Sequence, residues 1–167
     1  PDSNPVVDFG AFFSSINRHL QLPGNTRVHF ELGRSLVGQC GSLITRVLYV
    51  KKGDNRNFVV TDAGMTELLR PALYGASHRI DNLSSQGPDA MYDIVGPVCE
   101  SSDVFASGYM LAVARRGDIL AIRSCGAYAA SMSLNYNMRP KAPAVFIKNN
   151  TLHLGQEIIE HSFRHFV

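Results

Sequence analysis

Apolar and polar positions first alternate with a helical period and then with a strand period along this chain. In Val7 to Leu20 the residues Val7, Ala11, Ile16 and Leu20 mark one face of a helix, thickened by Phe9, Phe12 and Phe13. Asn4-Pro5 supplies a start and Leu22-Pro23-Gly24 a stop. Arg27 to Glu31 then reads as a short strand running into a tight turn at Gly33.

Beyond that point the period is mainly two. Leu43 to Val50 is apolar and β-branched and ends at Lys52-Gly53-Asp54-Asn55, a hairpin turn, with Phe58 to Thr61 as the returning strand. Met65 to Leu73 predicts a short helix or turn. Further strands are expected at Ala76 to Leu83, Tyr92 to Val98, Ile119 to Ser124 and Ala144 to Ile147. Asn149-Asn150 closes another hairpin onto Thr151 to Leu154, and Gln156 to Phe166 predicts a last short helix. Many short strands broken by Gly, Asn and Pro predict a mainly β fold, an antiparallel barrel or sandwich. The opening helix and strand belong to a different pattern, one α/β unit. The expected division is residues 1–35 and residues 36–167.

Composition narrows the function classes. Sixteen basic against fourteen acidic residues leave a net charge of +2, and no basic run exceeds two residues, which argues against a nucleic-acid surface. No apolar stretch approaches the length of a membrane span and no signal-peptide pattern opens the chain. Three widely spaced cysteines, Cys40, Cys99 and Cys125, make neither a disulfide framework nor a zinc site, so a reducing, cytoplasmic setting is expected. His153, His161 and His165 lack a carboxylate cluster and read as solvent-facing, with no metal expected. Pro1 in place of an initiator Met suggests a chain that begins inside a longer protein.

Four segments carry candidate chemistry. Glu31-Leu32-Gly33-Arg34 places a carboxylate, a glycine and an arginine at a strand end, where α/β barrels hold their reactive groups; the plain alternative is a surface ion pair. Arg70 and Tyr74 lie one helical turn apart, and arginine grips a carboxylate with two parallel hydrogen bonds; the alternative is a solvated arginine beside a half-buried tyrosine. Gly96-Pro97-Val98-Cys99-Glu100-Ser101-Ser102-Asp103 puts a thiol and a carboxylate together after a rigid turn; the alternative is a small buried cysteine. Arg123 to Ala130 breaks a strand at Gly126 and presents Tyr128 among small residues that admit a flat or anionic ligand; the alternative is a core tyrosine.

Together and in this order, the four segments resemble the diaminopimelate decarboxylase family from about Val28 to about Ile147, the C-terminal portion of enzymes that use pyridoxal 5'-phosphate (PLP) and have an alanine-racemase-like architecture. The resemblance implies a PLP-binding β/α barrel followed by a β-rich domain, and a homodimer that shares its active sites between subunits. It implies Glu31 facing the pyridine nitrogen of PLP, Gly33 and Arg34 near phosphate and substrate, and Tyr128 bonded to the phosphate. It implies Arg34, Arg70 and Tyr74 on the substrate, Cys99 returning a proton to the α-carbon, and Glu100 meeting the distal ammonium. The implied reaction converts meso-2,6-diaminopimelate to L-lysine and CO₂, with the Cys99-Glu100 loop reaching into the partner's site.

Two departures stand out. The proline of the family's Glu-Pro-Gly-Arg motif is Leu32 here, and none of Lys51, Lys52, Lys141 and Lys148 sits where the family's PLP-bonding lysine would. This chain alone is therefore expected to be inactive and to bind PLP weakly if at all. Another decarboxylase of the same fold acting on ornithine, arginine or carboxynorspermidine, a non-catalytic dimerising regulator, and a β-rich binding module remain as alternatives at this stage.

Overall fold

A computed structural model describes residues 7–155. The expected helix start at Asn4-Pro5, the expected helix over 156–166, His161 and His165 lie outside them. Helix α1 (Phe9–His19) is capped by Asp8, whose carboxylate accepts the Ala11 N–H at 2.9 Å. Its inner face is Phe9, Phe13 and Ile16, all half-buried, while Val7, Ala11 and Leu20 are exposed, so the apolar stripe is rotated from the one expected. The Phe13 ring packs edge-on against Phe30 with centroids 4.9 Å apart.

Residues 27–31 do not form the expected strand: they pair with nothing among the described residues. An extended segment becomes a strand only when a neighbour accepts its backbone hydrogen bonds. A 3₁₀ turn over Gly38–Cys40 then leads into the sheet.

Six strands form that sheet: β1 (Leu43–Lys52), β2 (Asn57–Thr61), β3 (Ile80–Asn82), β4 (Asp89–Val95), β5 (Val104–Ala112) and β6 (Ile119–Ile122), in the order β3-β6-β1-β2-β4-β5. The β1–β2 hairpin turns where the Gly-Asp-Asn signal placed it, over 53–56. Five strands were legible as apolar runs. β5 was not, because Ala106-Ser107-Gly108 breaks its pattern; Gly108 takes φ +60° there and donates its N–H to Asp93 at 2.7 Å. The pairing is mixed rather than wholly antiparallel, since β2 and β4 run parallel through Phe58↔Asp93, Val59↔Ile94 and Val60↔Val95. Residues 62–88, which include helix α2 (Arg70–Tyr74), therefore cross over rather than turn back.

The sheet curls until its two edge strands meet. The Tyr109 hydroxyl on β5 accepts the Ile80 N–H (2.8 Å) and donates to the Ile80 carbonyl (3.1 Å) on β3. Inside the curl lie Val47, Val59, Leu68, Ile94, Leu120 and Ile122, each no more than 1% exposed. Burying each such side chain is worth about 1.5–3 kcal/mol against leaving it in water. A separate hairpin, β7 (Val145–Lys148) with β8 (Thr151–Leu154), turns at Asn149-Asn150 as expected and carries His153 on β8.

Candidate active site

Glu31, Gly33 and Arg34 precede the sheet, yet the fold brings this stretch against the chain that follows β6. Cys125 donates its N–H to Gly41 O and Gly126 donates to Gly38 O, both at 2.9 Å. The crossing is tight because both chains are glycine there: a Cβ on Gly41 would sit 2.6 Å from the Gly126 Cα, and one on Gly126 would strike the Val37 carbonyl. The small residues around 126 were expected to make room for a ligand. At Gly126 itself they make room for the chain's own backbone.

The Tyr128 hydroxyl comes within 3.4 Å of where a Gly33 Cβ would stand, so the glycine and the phenol hydroxyl share one wall. Tyr128 is 48% exposed, and its backbone, like that of Ser124, is left-handed, with φ of +64° and +59°. A non-glycine residue is held there only when its surroundings over-determine it. Arg34 reaches the Ser124 carbonyl through Nη2 at 3.4 Å, while its Nε is buried without a hydrogen-bond partner among the described residues. Glu31 is exposed beside them.

Arg70 opens α2, with Pro71 at the first turn, and Gly75 ends the helix at φ +61°. Tyr74 follows one turn later and is 64% exposed. The Arg70 Nη1 is buried and has no hydrogen-bond partner among the described residues. A charged donor in that position is costly unless something pairs with it.

Cys99 and Glu100 are exposed on the β4–β5 connection. The exposed thiol departs from the buried-cysteine alternative. Glu100 accepts the Ser102 N–H at 3.2 Å and its hydroxyl at 3.1 Å, which fixes the carboxylate's direction. Among the described residues no hydrogen bond or ion pair joins Cys99 or Glu100 to Glu31, Gly33, Arg34 or Tyr128. A cleft of about 800 Å³ separates α2 from β5, lined by residues such as Pro71, Gly75, Ser102, Phe105 and Tyr109, and none of the singled-out side chains lines it. The candidate residues therefore lie outside the cleft.

Sequence reasoning assigned no role to Asp103, Glu67 or Arg139. Asp103 is 3% exposed and accepts the N–H groups of Met65 (2.6 Å) and Val98 (2.7 Å). Buried Glu67 accepts the Gly64 N–H at 2.7 Å and stands 3.6 Å from the Arg139 guanidinium. Burial pushes the Asp103 carboxyl above its ordinary range, against the pull of the two backbone N–H groups and Arg139. Its signal was an aspartate immediately before an apolar run, and it went unread because β5 itself was not recognised.

Among the described residues no group of three or more metal-ligating side chains occurs, and no helix is long and apolar enough to cross a membrane.

Comparison with known proteins converges on one group. The family described as pyridoxal-dependent decarboxylase, C-terminal sheet domain, matches residues 6–126. The diaminopimelate decarboxylase of Bacteroides thetaiotaomicron is 50% identical over 139 residues, 83% of this chain and 36% of that protein. That of Neisseria meningitidis serogroup B is 43% identical over 152 residues, 89% of this chain and 36% of the relative. The crystal structure of diaminopimelate decarboxylase from Helicobacter pylori complexed with L-lysine superposes with a TM-score of 0.83 at 34% identity, covering 99% of this chain and 42% of that one. The chain thus spans about a third of the length of the curated relatives it matches.

Proposed function

The chain belongs to the pyridoxal-dependent decarboxylase family, whose C-terminal sheet domain it carries, and from this we propose that it forms part of a diaminopimelate decarboxylase. The enzyme would take meso-2,6-diaminopimelate to L-lysine and CO₂. The observation that carries the substrate is Arg70. A buried guanidinium nitrogen without a partner among the described residues calls for a carboxylate, and Tyr74 stands one turn away to add a hydroxyl. Meso-diaminopimelate keeps a distal carboxylate to offer there; ornithine has none.

The residues around Gly33 fit PLP. The Tyr128 hydroxyl and the partnerless Arg34 Nε are donors suited to a phosphate, and Gly33 keeps the approach open. Glu31 would hold a proton on the ring nitrogen. When bound, PLP supplies the electron sink for the pair left on the α-carbon as CO₂ departs. Arg70, Tyr74 and Arg34 hold and orient the substrate's carboxylates, Glu100 pairs with its distal ammonium, and the Cys99 thiol gives its proton to the α-carbon. The lysine that bonds the cofactor would come from outside this sequence, and the chain alone would hold PLP weakly.

We assign residues 1–35 to the end of a β/α barrel and 36–167 to the β domain. Supporting this, α1 and residues 27–32 bury no side chain in this chain. The exposed Cys99-Glu100 loop, without a bond to the Tyr128 wall, supports a homodimer in which each subunit lends this loop to its partner. Cys40 and Cys99, exposed as thiols, support a reducing cytoplasm.

Kinetics of the full-length enzyme test the reading. Arg70→Ala should lower kcat/KM for meso-diaminopimelate by about a thousandfold or more, the scale expected when a built charge partner is lost, with the melting temperature nearly unchanged. Unaltered turnover of meso-diaminopimelate, or a wild type that prefers ornithine, would refute it.

A further inference from the structure

We propose that Asp103 is a positioning residue for the Cys99-Glu100 loop, fixing that loop to the turn that leads into Arg70. The inference rests on the reading that the loop takes part in the decarboxylation.

The two oxygens of one buried carboxylate are divided between two segments of chain. Oδ1 accepts from Met65, five residues before Arg70, and Oδ2 accepts from Val98, next to Cys99. Hydrogen bonds to an ionised carboxylate are short and strong, and both of these are at most 2.7 Å. The backbone of Asp103 closes the same loop: its carbonyl accepts the Gly96 N–H at 2.9 Å, and its N–H reaches the Glu100 carbonyl at 3.0 Å. Cys99 and Glu100 thus sit inside a ring of bonds that begins and ends on Asp103.

The sequence makes space for this clamp. A Cβ on Gly96 would collide with the Asp103 carboxylate, and one on Gly64 would lie 2.8 Å from it. Below the clamp, Glu67 holds the Gly64 N–H and the Thr66 hydroxyl (2.9 Å), and Arg139 donates to that hydroxyl at 3.1 Å. The charged groups acting on Asp103 are Arg139 and Glu67. Asp103 points into protein rather than solvent, so it reaches no substrate; its action is on where Cys99 and Glu100 stand.

Asp103→Asn keeps the shape but offers one acceptor where two N–H groups need partners. In the full-length enzyme, kcat for meso-diaminopimelate should fall about tenfold to a hundredfold, the penalty of a misplaced catalytic group, and KM should rise as well, because Glu100 moves with Cys99. A second reading needs no turnover: iodoacetamide labelling of Cys99, followed at its peptide by mass spectrometry, should change in rate by several-fold as the loop is released. Unchanged labelling together with unchanged kcat overturns the proposal. Altered labelling with unchanged kcat shows a loop that Asp103 positions but the reaction does not use, and overturns the catalytic reading beneath it. Should the variant not fold, hydrogen exchange on the wild type decides: slow exchange at Met65 and Val98 supports the clamp, and fast exchange at either overturns it.

Discussion

Gly126 is the residue on which the wall around Tyr128 depends. A Cβ there strikes the Val37 carbonyl and lies 2.9 Å from both the Cys40 Sγ and the Gly41 N, so Gly126→Ala should cost roughly 3 kcal/mol or more, in the class of forced backbone displacements. Gly24, with nothing within 4 Å of its Cβ position, is the control: Gly24→Ala should change stability by less than about 1 kcal/mol. Chemical denaturation of the two variants checks both. At this scale the residues we propose as reactive, Glu31, Arg70, Cys99 and Tyr128, were singled out in the sequence by functional group and by neighbours. Their supports were not. Asp103 and Arg139 act on a backbone N–H and a hydroxyl far along the chain, and no local pattern marks a carboxylate whose partners are 38 and 5 residues away.

Between elements, the seam from β3 to β5 is held by the Tyr109 hydroxyl and by Asn82 Nδ2, which donates to the Ala112 carbonyl at 3.3 Å. Tyr109→Phe removes both bonds to Ile80, a residue only 3% exposed, and should cost about 2 kcal/mol through unpaired backbone groups, read as a lower urea midpoint at unchanged slope. On the same strand, Asp81 takes Arg79 and Arg123 at 2.8 Å each. Partial burial pushes its carboxyl up, but the two arginines together bring it below its ordinary value of 3.8. A lowered folded-state value gives stability that is full above 3.8 and is lost as pH falls through the lower value. Asp81→Asn should therefore destabilise the protein near neutral pH and have little effect at strongly acid pH, as thermal melts across pH would show. Asp103 has the opposite sign: burial raises its value, so ionising it in the fold costs stability as pH rises from 3.8 through that value, a cost that the two N–H bonds and Arg139 only partly offset. Strand existence was legible where β-branched runs were long. β5 was hidden by its Gly108 kink, and residues 27–31 were over-read because periodicity does not reveal whether a partner strand exists.

At the scale of the whole molecule, most apolar side chains of residues 7–37 lie on the outside, Phe9, Phe13 and Ile16 being half-buried. Phe12, Leu20, Leu22, Phe30, Leu36 and Val37 are each more than 40% exposed. Such a surface favours association, so the isolated chain should sediment as concentration-dependent oligomers; a monomer at every loading would contradict this. The fold class could be read from the sequence, but the strand order could not, since parallel pairing of β2 with β4 is decided by contacts between residues distant in the chain. That pairing has a consequence for how such a protein can diversify. Two parallel neighbours oblige the chain to travel the length of the sheet between them, and residues 62–88 make that passage, putting Leu68 in the core and β3 on the sheet's edge as they go. The obligatory passage is also where Arg70 and Tyr74 sit. Leu68 and β3 tie the two ends of that passage to the core and the sheet, which leaves residues 70–77, none of them buried, as the stretch whose content can change while the strands stay as they are.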